Sequence, residues 1–126
     1  PWQTVPSLNV MLSEADVIFG VFGESAKTNR VIPNKIFQGL AVGKPVITKD
    51  TGSVRALFSD EDLVLVQNTP EAIAEAIVKL KNNPAWCQQL SENGQKKIAA
   101  SYREKEIAQI LINAIKNHLT QPNKAI

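Results

Sequence analysis

Long apolar runs, paired cysteines and a charge of one sign are all missing from this sequence. Unbroken apolar runs such as Val17 to Phe19 fall far short of the ~18 to 20 residues a membrane helix needs. Nothing is therefore expected to span a bilayer, although peripheral attachment at the inner face of a membrane stays open. Cys87 is the only cysteine, which excludes an internal disulfide and suits a reducing, cytoplasmic compartment. With no basic neighbour in sequence to activate it, this thiol reads as a small buried hydrophobe. The 14 basic and 12 acidic residues give a net charge of only +2, too even a balance for the footprint of a nucleic-acid binder. No HExxH, CxxC, GxSxG or Walker glycine loop occurs, so metal, activated-nucleophile and P-loop chemistry find no motif here and no metal or cofactor is expected. His118, the one histidine, sits near a helix end and reads as solvated.

The chain has 126 residues, 44% of them hydrophobic, which suits one domain with a real core. It opens on Pro1, with neither a methionine nor a signal-peptide pattern in the first stretch, and reads as a piece of something longer. No internal repeat or low-complexity segment appears.

Strand and helix patterns alternate with short connectors, the signature of a parallel sheet with crossover helices. Val5, Leu8, Met11 and Leu12 carry helical spacing over 5–14. VIFGV at 17–21 is a continuous apolar run of the kind found in strands buried on both faces. The polar loop FGESAKTNRVIP at 22–33 follows it. Asn34 is expected to cap a helix ending near Val42, with Gly43 as its left-handed stop. PVIT at 45–48 is the second strand, Ser53 caps a short helix through Phe58, and LVLV at 63–66 is a third buried strand. Thr69–Pro70 and Asn83–Pro84 are two cap-plus-proline starts. The first opens a helix with Ile73, Ile77 and Leu80 on one face. The second opens one carrying Trp86, Leu90 and Ile98, interrupted at Gly94. A last helix over 103–119 presents Ile107, Ile110, Leu111, Ala114 and Ile115, and the tail TQPNKAI is expected to fray. Three strands are few for a doubly wound sheet, and the first half of that sheet is expected upstream, beside VIFGV.

In open α/β sheets ligands bind outside the carboxyl ends of the strands, which singles out 22–38. Between Glu24 and Asp50, the bases Lys27, Arg30, Lys35, Lys44 and Lys49 face only those two acids. A helix N-terminus with Arg30 and Lys35 beside it would accept an anion, and a diphosphate suits that donor set. Basic loops are also simply wet, so solvated surface stands beside the phosphate reading, and for Lys44 and Lys49 it is the preferred one.

The runs ADVIFGVFG and RVIPNKIFQGLAVGKPVIT, with TGS close behind, resemble the donor-binding region of group 1 glycosyltransferases, nucleotide-sugar enzymes of the two-domain GT-B fold. The resemblance extends more loosely over the whole chain. It implies that the chain is the later half of a Rossmann-like C-terminal domain, with the acceptor-binding N-terminal domain elsewhere, and that transfer from a nucleotide-diphosphate sugar retains anomeric configuration. By the same resemblance, Arg30, Lys35 and the backbone N–H groups of Asn34, Lys35 and Ile36 would hold the diphosphate. Gln38 would stand where the family keeps a ribose-binding Glu, and Gly23 and Lys27 would give loop shape and supporting charge. The family's earlier Glu falls on Arg30, and the nearest acid, Glu24, is reached only by inserting residues. A non-catalytic nucleotide-sugar binding module and a nucleotide-sugar epimerase of the same fold are the alternatives.

Overall fold

A computed structural model describes residues 2–120. Among them the order is α1 (Val5–Glu14), β1 (Ile18–Phe19), α2 (Asn34–Ala41), β2 (Val46–Lys49), α3 (Gly52–Arg55), β3 (Val64–Val66), α4 (Pro70–Asn82), α5 (Pro84–Ser101) and α6 (Glu104–Thr120). The strands form one parallel sheet in the order β1-β2-β3, with Ile18 opposite Val46 and Ile47 opposite Val64. The alternating pattern of the sequence thus becomes the α/β sheet it predicts. The frayed tail expected beyond Thr120 lies outside the described residues.

Two apolar clusters sandwich the sheet. Ile18 and Val46 pack with Ile36 and Leu40 of α2 and with Val54, Phe58 and Leu63 on one side. Ile47, which points the opposite way along its strand, packs with Ala76 and Leu80 of α4 and Leu90 of α5. Only the central strand is buried on both faces, with Val46 and Ile47 at 0% and Thr48 at 1% exposure. The outer strands correct the sequence reading. Phe19 remains 44% exposed because α4 packs against β3 and α5 and leaves that face of β1 uncovered. Phe19 instead meets Phe22 edge-on, with ring centres 5.9 Å apart. The residues of β3 are half-buried throughout.

Local signals fix several element ends. Thr69 and Asn83 accept from the N–H groups of Ala72 and Trp86 at 3.2 and 3.1 Å, each just before its proline. Gly43 closes α2 at φ +73, a conformation that favours glycine. Two expected caps move. Pro33, extended at φ −69 and ψ 142, precedes α2, and Asn34 is its first helical residue with no side-chain cap. Thr51, and not Ser53, caps α3, accepting from the Val54 N–H at 3.2 Å.

Three helices differ in face or continuity. In α4 the buried positions are Ala76 and Leu80, while Ile77 is 40% exposed. Helix α5 runs unbroken through Gly94, where a Cβ would stand 2.5 Å from Leu40 Cδ2 and 3.2 Å from the Asp62 carbonyl oxygen; that glycine is a contact point, not a break. The apolar residues of α6 from Ile107 onward are exposed. Its entry is set by Tyr102, whose ring lies 5.5 Å from Phe37 and 5.7 Å from Phe58.

The end of β1 tolerates no side chain: a Cβ on Gly20 would fall 2.2 Å from Thr48 Oγ1 and 2.4 Å from Thr48 Cβ. Gly20→Ala is expected to destabilise the domain by about 1–3 kcal/mol through overpacking. Gly52→Ala, where nothing lies within 4 Å, is expected to stay within about 0.5–1 kcal/mol of the parent. Denaturant unfolding midpoints of the two variants check the contrast.

Candidate functional site

The loop leaving β1 crosses the carboxyl ends of β2 and β3 before it enters α2. It begins as an extension of the sheet, with the Gly20 N–H donating to the Ile47 carbonyl at 2.8 Å and the Val21 N–H to Thr48 Oγ1 at 3.3 Å. Gly23 then approaches Thr28 so closely that a Cβ would sit 2.8 Å from Thr28 Cγ2. The Gly23 carbonyl lies 3.2 Å from Lys49 Nζ and 2.7 Å from Thr28 Oγ1. The Thr28 hydroxyl has one proton to divide between that carbonyl and that of Ser25, also at 2.7 Å.

Glu24 ties this loop to the far side of the sheet. Its Oε1 accepts from Asn68 Nδ2, just past β3, and its Oε2 lies 3.5 Å from Lys49 Nζ. These partners hold the Glu24 carboxyl below its ordinary value of 4.5, the Asn68 hydrogen bond first and the Lys49 charge second. Farther along, Ser53 Oγ donates to the Asn29 carbonyl at 2.9 Å. Asp50 is occupied elsewhere: Arg55 grips both its oxygens at 2.6 and 2.7 Å and pushes its carboxyl down.

The basic residues expected at an anion site lie on the loop before α2 and on its first turn. Lys27 and Arg30 lie in the exposed turn over 25–30, and Asn34 and Lys35 are exposed at the first turn of α2. Arg30 Nε donates back to the Ala26 carbonyl at 3.2 Å, which leaves its terminal nitrogens. Among the described residues no carboxylate pairs with Lys27, Arg30 or Lys35. Of the three N–H groups expected to face an anion, that of Ile36 is already spent on the Pro33 carbonyl at 3.0 Å, and its side chain is fully buried. The N–H groups of Asn34 and Lys35 have no acceptor among the described residues, as the free end of a helix requires. Gln38 is half-buried one turn on, on the side of α2 that Asn34 and Lys35 share.

The sequence reading missed Lys49. Taken as solvated surface, its side chain is only 14% exposed and binds the loop. Its place directly after three strand residues of a buried run was the available signal. Thr28, Ser53 and Asn68 gave none, since each acts on a partner distant in the chain or within an irregular turn. Lys44 makes no ion pair among the described residues, and His118 is exposed as expected. Cys87 is half-buried against Ile47, Ala76, Leu80 and Leu90. No group of three His, Cys, Asp or Glu among the described residues is placed to hold a metal, and no helix there is long and apolar enough to cross a membrane.

A parallel sheet with crossover helices, carrying its basic loop and a free helix N-terminus at the strand carboxyl ends, defines an α/β domain of the open-sheet class. A family model described as glycosyl transferase-like matches residues 4–113, and the chain belongs to that family. Its fold is similar to that of sucrose-phosphate synthase from Thermosynechococcus elongatus, with a TM-score of 0.72 and 24% identity, over 88% of this chain and 27% of that one. None of the curated protein sequences matches the chain.

Because Glu24's carboxyl is depressed below 4.5, the contacts it makes are complete above that value and are lost as pH falls through the lower, folded-state pKa. An NMR titration of the Glu24 carboxyl carbon is expected to give a midpoint below 4.5. Asn68→Ala and Lys49→Met should each move it upward. An unchanged midpoint in Asn68→Ala would remove Asn68 as the principal cause.

Proposed function

We propose that this chain binds the nucleotide-diphosphate sugar in a glycosyltransferase that passes the sugar to an acceptor, and that the acceptor-binding domain is a separate part of the protein. One observation carries the reading: in a glycosyl transferase-like chain, two unpartnered N–H groups at the start of α2 follow a loop that carries Lys27 and Arg30 and share the first helical turn with Lys35, none of these cations paired with a carboxylate among the described residues. The partial positive charge of the helix end and three full charges suit a diphosphate. The assignment keeps Arg30, Lys35 and the Asn34 and Lys35 N–H groups for the phosphates, with Gln38 toward the ribose, Lys27 as supporting charge and Gly23 shaping the loop.

The chemistry follows from where charge develops. As the sugar–oxygen bond breaks, the leaving diphosphate gains negative charge, and cations already aimed at it stabilise that state more than the ground state. Arg30 and Lys35 supply that charge from the protein itself. This chain alone carries half of such a site and is expected to bind donor without transferring sugar. The protein is placed in the cytoplasm on this reading, with attachment to the inner face of a membrane compatible with it.

A second reading has its own observation. Arg30 and Gln38 occupy the positions where the resemblance leads one to expect acids, which favours a nucleotide-sugar binding module without transferase activity. Calorimetric titration of the full-length protein with UDP, GDP and ADP, and with their sugar conjugates, tests what both readings share. Arg30→Ala and Lys35→Ala should each weaken diphosphate binding by about 1–3 kcal/mol; unchanged affinity in both would sink the site. Turnover of a bound conjugate in the presence of acceptor separates transferase from module. Gln38→Glu is expected to tighten nucleotide binding by roughly 1 kcal/mol, the difference between a neutral and a charge-assisted hydrogen bond.

A further inference from the structure

Residues 23–31 are exposed except for the partly buried Thr28, so apolar burial cannot hold this loop in shape. Its long-range polar cross-links do: Lys49 to Gly23 and Glu24, Asn68 to Glu24, and Ser53 to Asn29. Lys49 differs from the other two in charge and in burial. It ends the central strand, its side chain is 14% exposed, and its ammonium reaches a backbone carbonyl at 3.2 Å and a carboxylate oxygen at 3.5 Å on successive residues. With most of its stem covered the side chain is held in one place, and its ammonium there needs acceptors for its protons and a partner for its charge. The loop supplies both, so the position of the loop and the burial of Lys49 are mutually dependent.

We infer that Lys49 is a positioning residue for the anion site. It pins the start of the loop to the end of β2 and thereby orders the turn that carries Lys27 and Arg30. It also neutralises Glu24, the one carboxylate within that loop. The inference rests on the donor-binding reading of that site. An ordered loop meets its ligand without the entropic cost of arranging flexible cations around it, which raises affinity with no contact between Lys49 and the ligand.

The test is a double-mutant cycle in the full-length protein, read by calorimetry with UDP, GDP and ADP and accompanied by thermal unfolding and amide exchange over 22–30. Lys49→Met is expected to weaken the diphosphate that the parent binds by about tenfold and to speed exchange in the loop. Lys49→Arg, which keeps charge and donor, should restore most of the affinity. Arg30→Ala should weaken binding in the parent but add little on top of Lys49→Met, because a loop already released no longer aims Arg30. Additive losses would mean that Lys49 acts independently of the loop, and parent-like affinity in Lys49→Met would equally overturn the proposal. If Lys49→Met fails to fold, Lys49→Gln, which keeps a donor for the Gly23 carbonyl, carries the same cycle with the same two overturning outcomes. If neither Arg30→Ala nor Lys35→Ala has any effect, the anion site itself fails; an effect of those two without one of Lys49→Met removes only the positioning role.

Discussion

The architecture depends on how closely α2 is held from two sides. Gly39 lets the helix approach the sheet until a Cβ there would stand 3.0 Å from both Ile18 Cδ1 and Val46 Cγ2, and on its flank Gly94 of α5 leaves room only for Leu40. A helix of eight residues, about 12 Å long, has little stability of its own. Ile36 and Leu40 are fully buried, and side chains of that kind contribute about 1.5–3 kcal/mol each on transfer from water. Packing therefore both creates α2 and fixes its axis. Once the axis is fixed, the free N–H groups of Asn34 and Lys35 have a defined place at the carboxyl edge of the sheet.

The loop that reaches this helix is ordered by different physics. Its cross-links are polar and run to residues far off in sequence: Lys49 at the end of β2, Asn68 beyond β3 and Ser53 in α3. Apolar packing responds little to charge or pH, whereas these contacts respond to both. The two halves of the candidate site thus differ in kind. One half is a rigid helix end set by shape, and the other is a basic turn set by hydrogen bonds whose acceptors include an ionised carboxylate.

This division explains what could be read from the residues alone. Gly43, Thr69 and Asn83 were legible because a stop or a cap acts within a few residues of itself. The alternation of strand and helix was legible because each pattern is local. Gly94 was read as an interruption because its reason, the Leu40 side chain, lies on another helix. Lys49 was read as solvated because its acceptors belong to a loop of no regular pattern. The same limit applies at α2: the motif located the helix start, but only the backbone contact from Ile36 to Pro33 distinguishes a spent donor from two free ones. Phe19 and the residues of β3 show the converse error, since an apolar run gives no sign of which face a helix will leave uncovered.

Glu24 bears on how such a site would discriminate among ligands. The resemblance placed Arg30 and Gln38 where acids were expected, and Glu24 was the nearest substitute. Both of its oxygens already have partners, Asn68 and Lys49. To accept from a donor's hydroxyl it would share or surrender contacts that also order the loop. The cations nearby carry no such prior engagement with a carboxylate: Lys27, Arg30 and Lys35 are unpaired among the described residues. The arrangement therefore favours reading charge over reading hydroxyls. On the donor-binding reading, affinity resides mainly in the diphosphate, and discrimination among sugars falls to groups that this edge of the sheet does not supply.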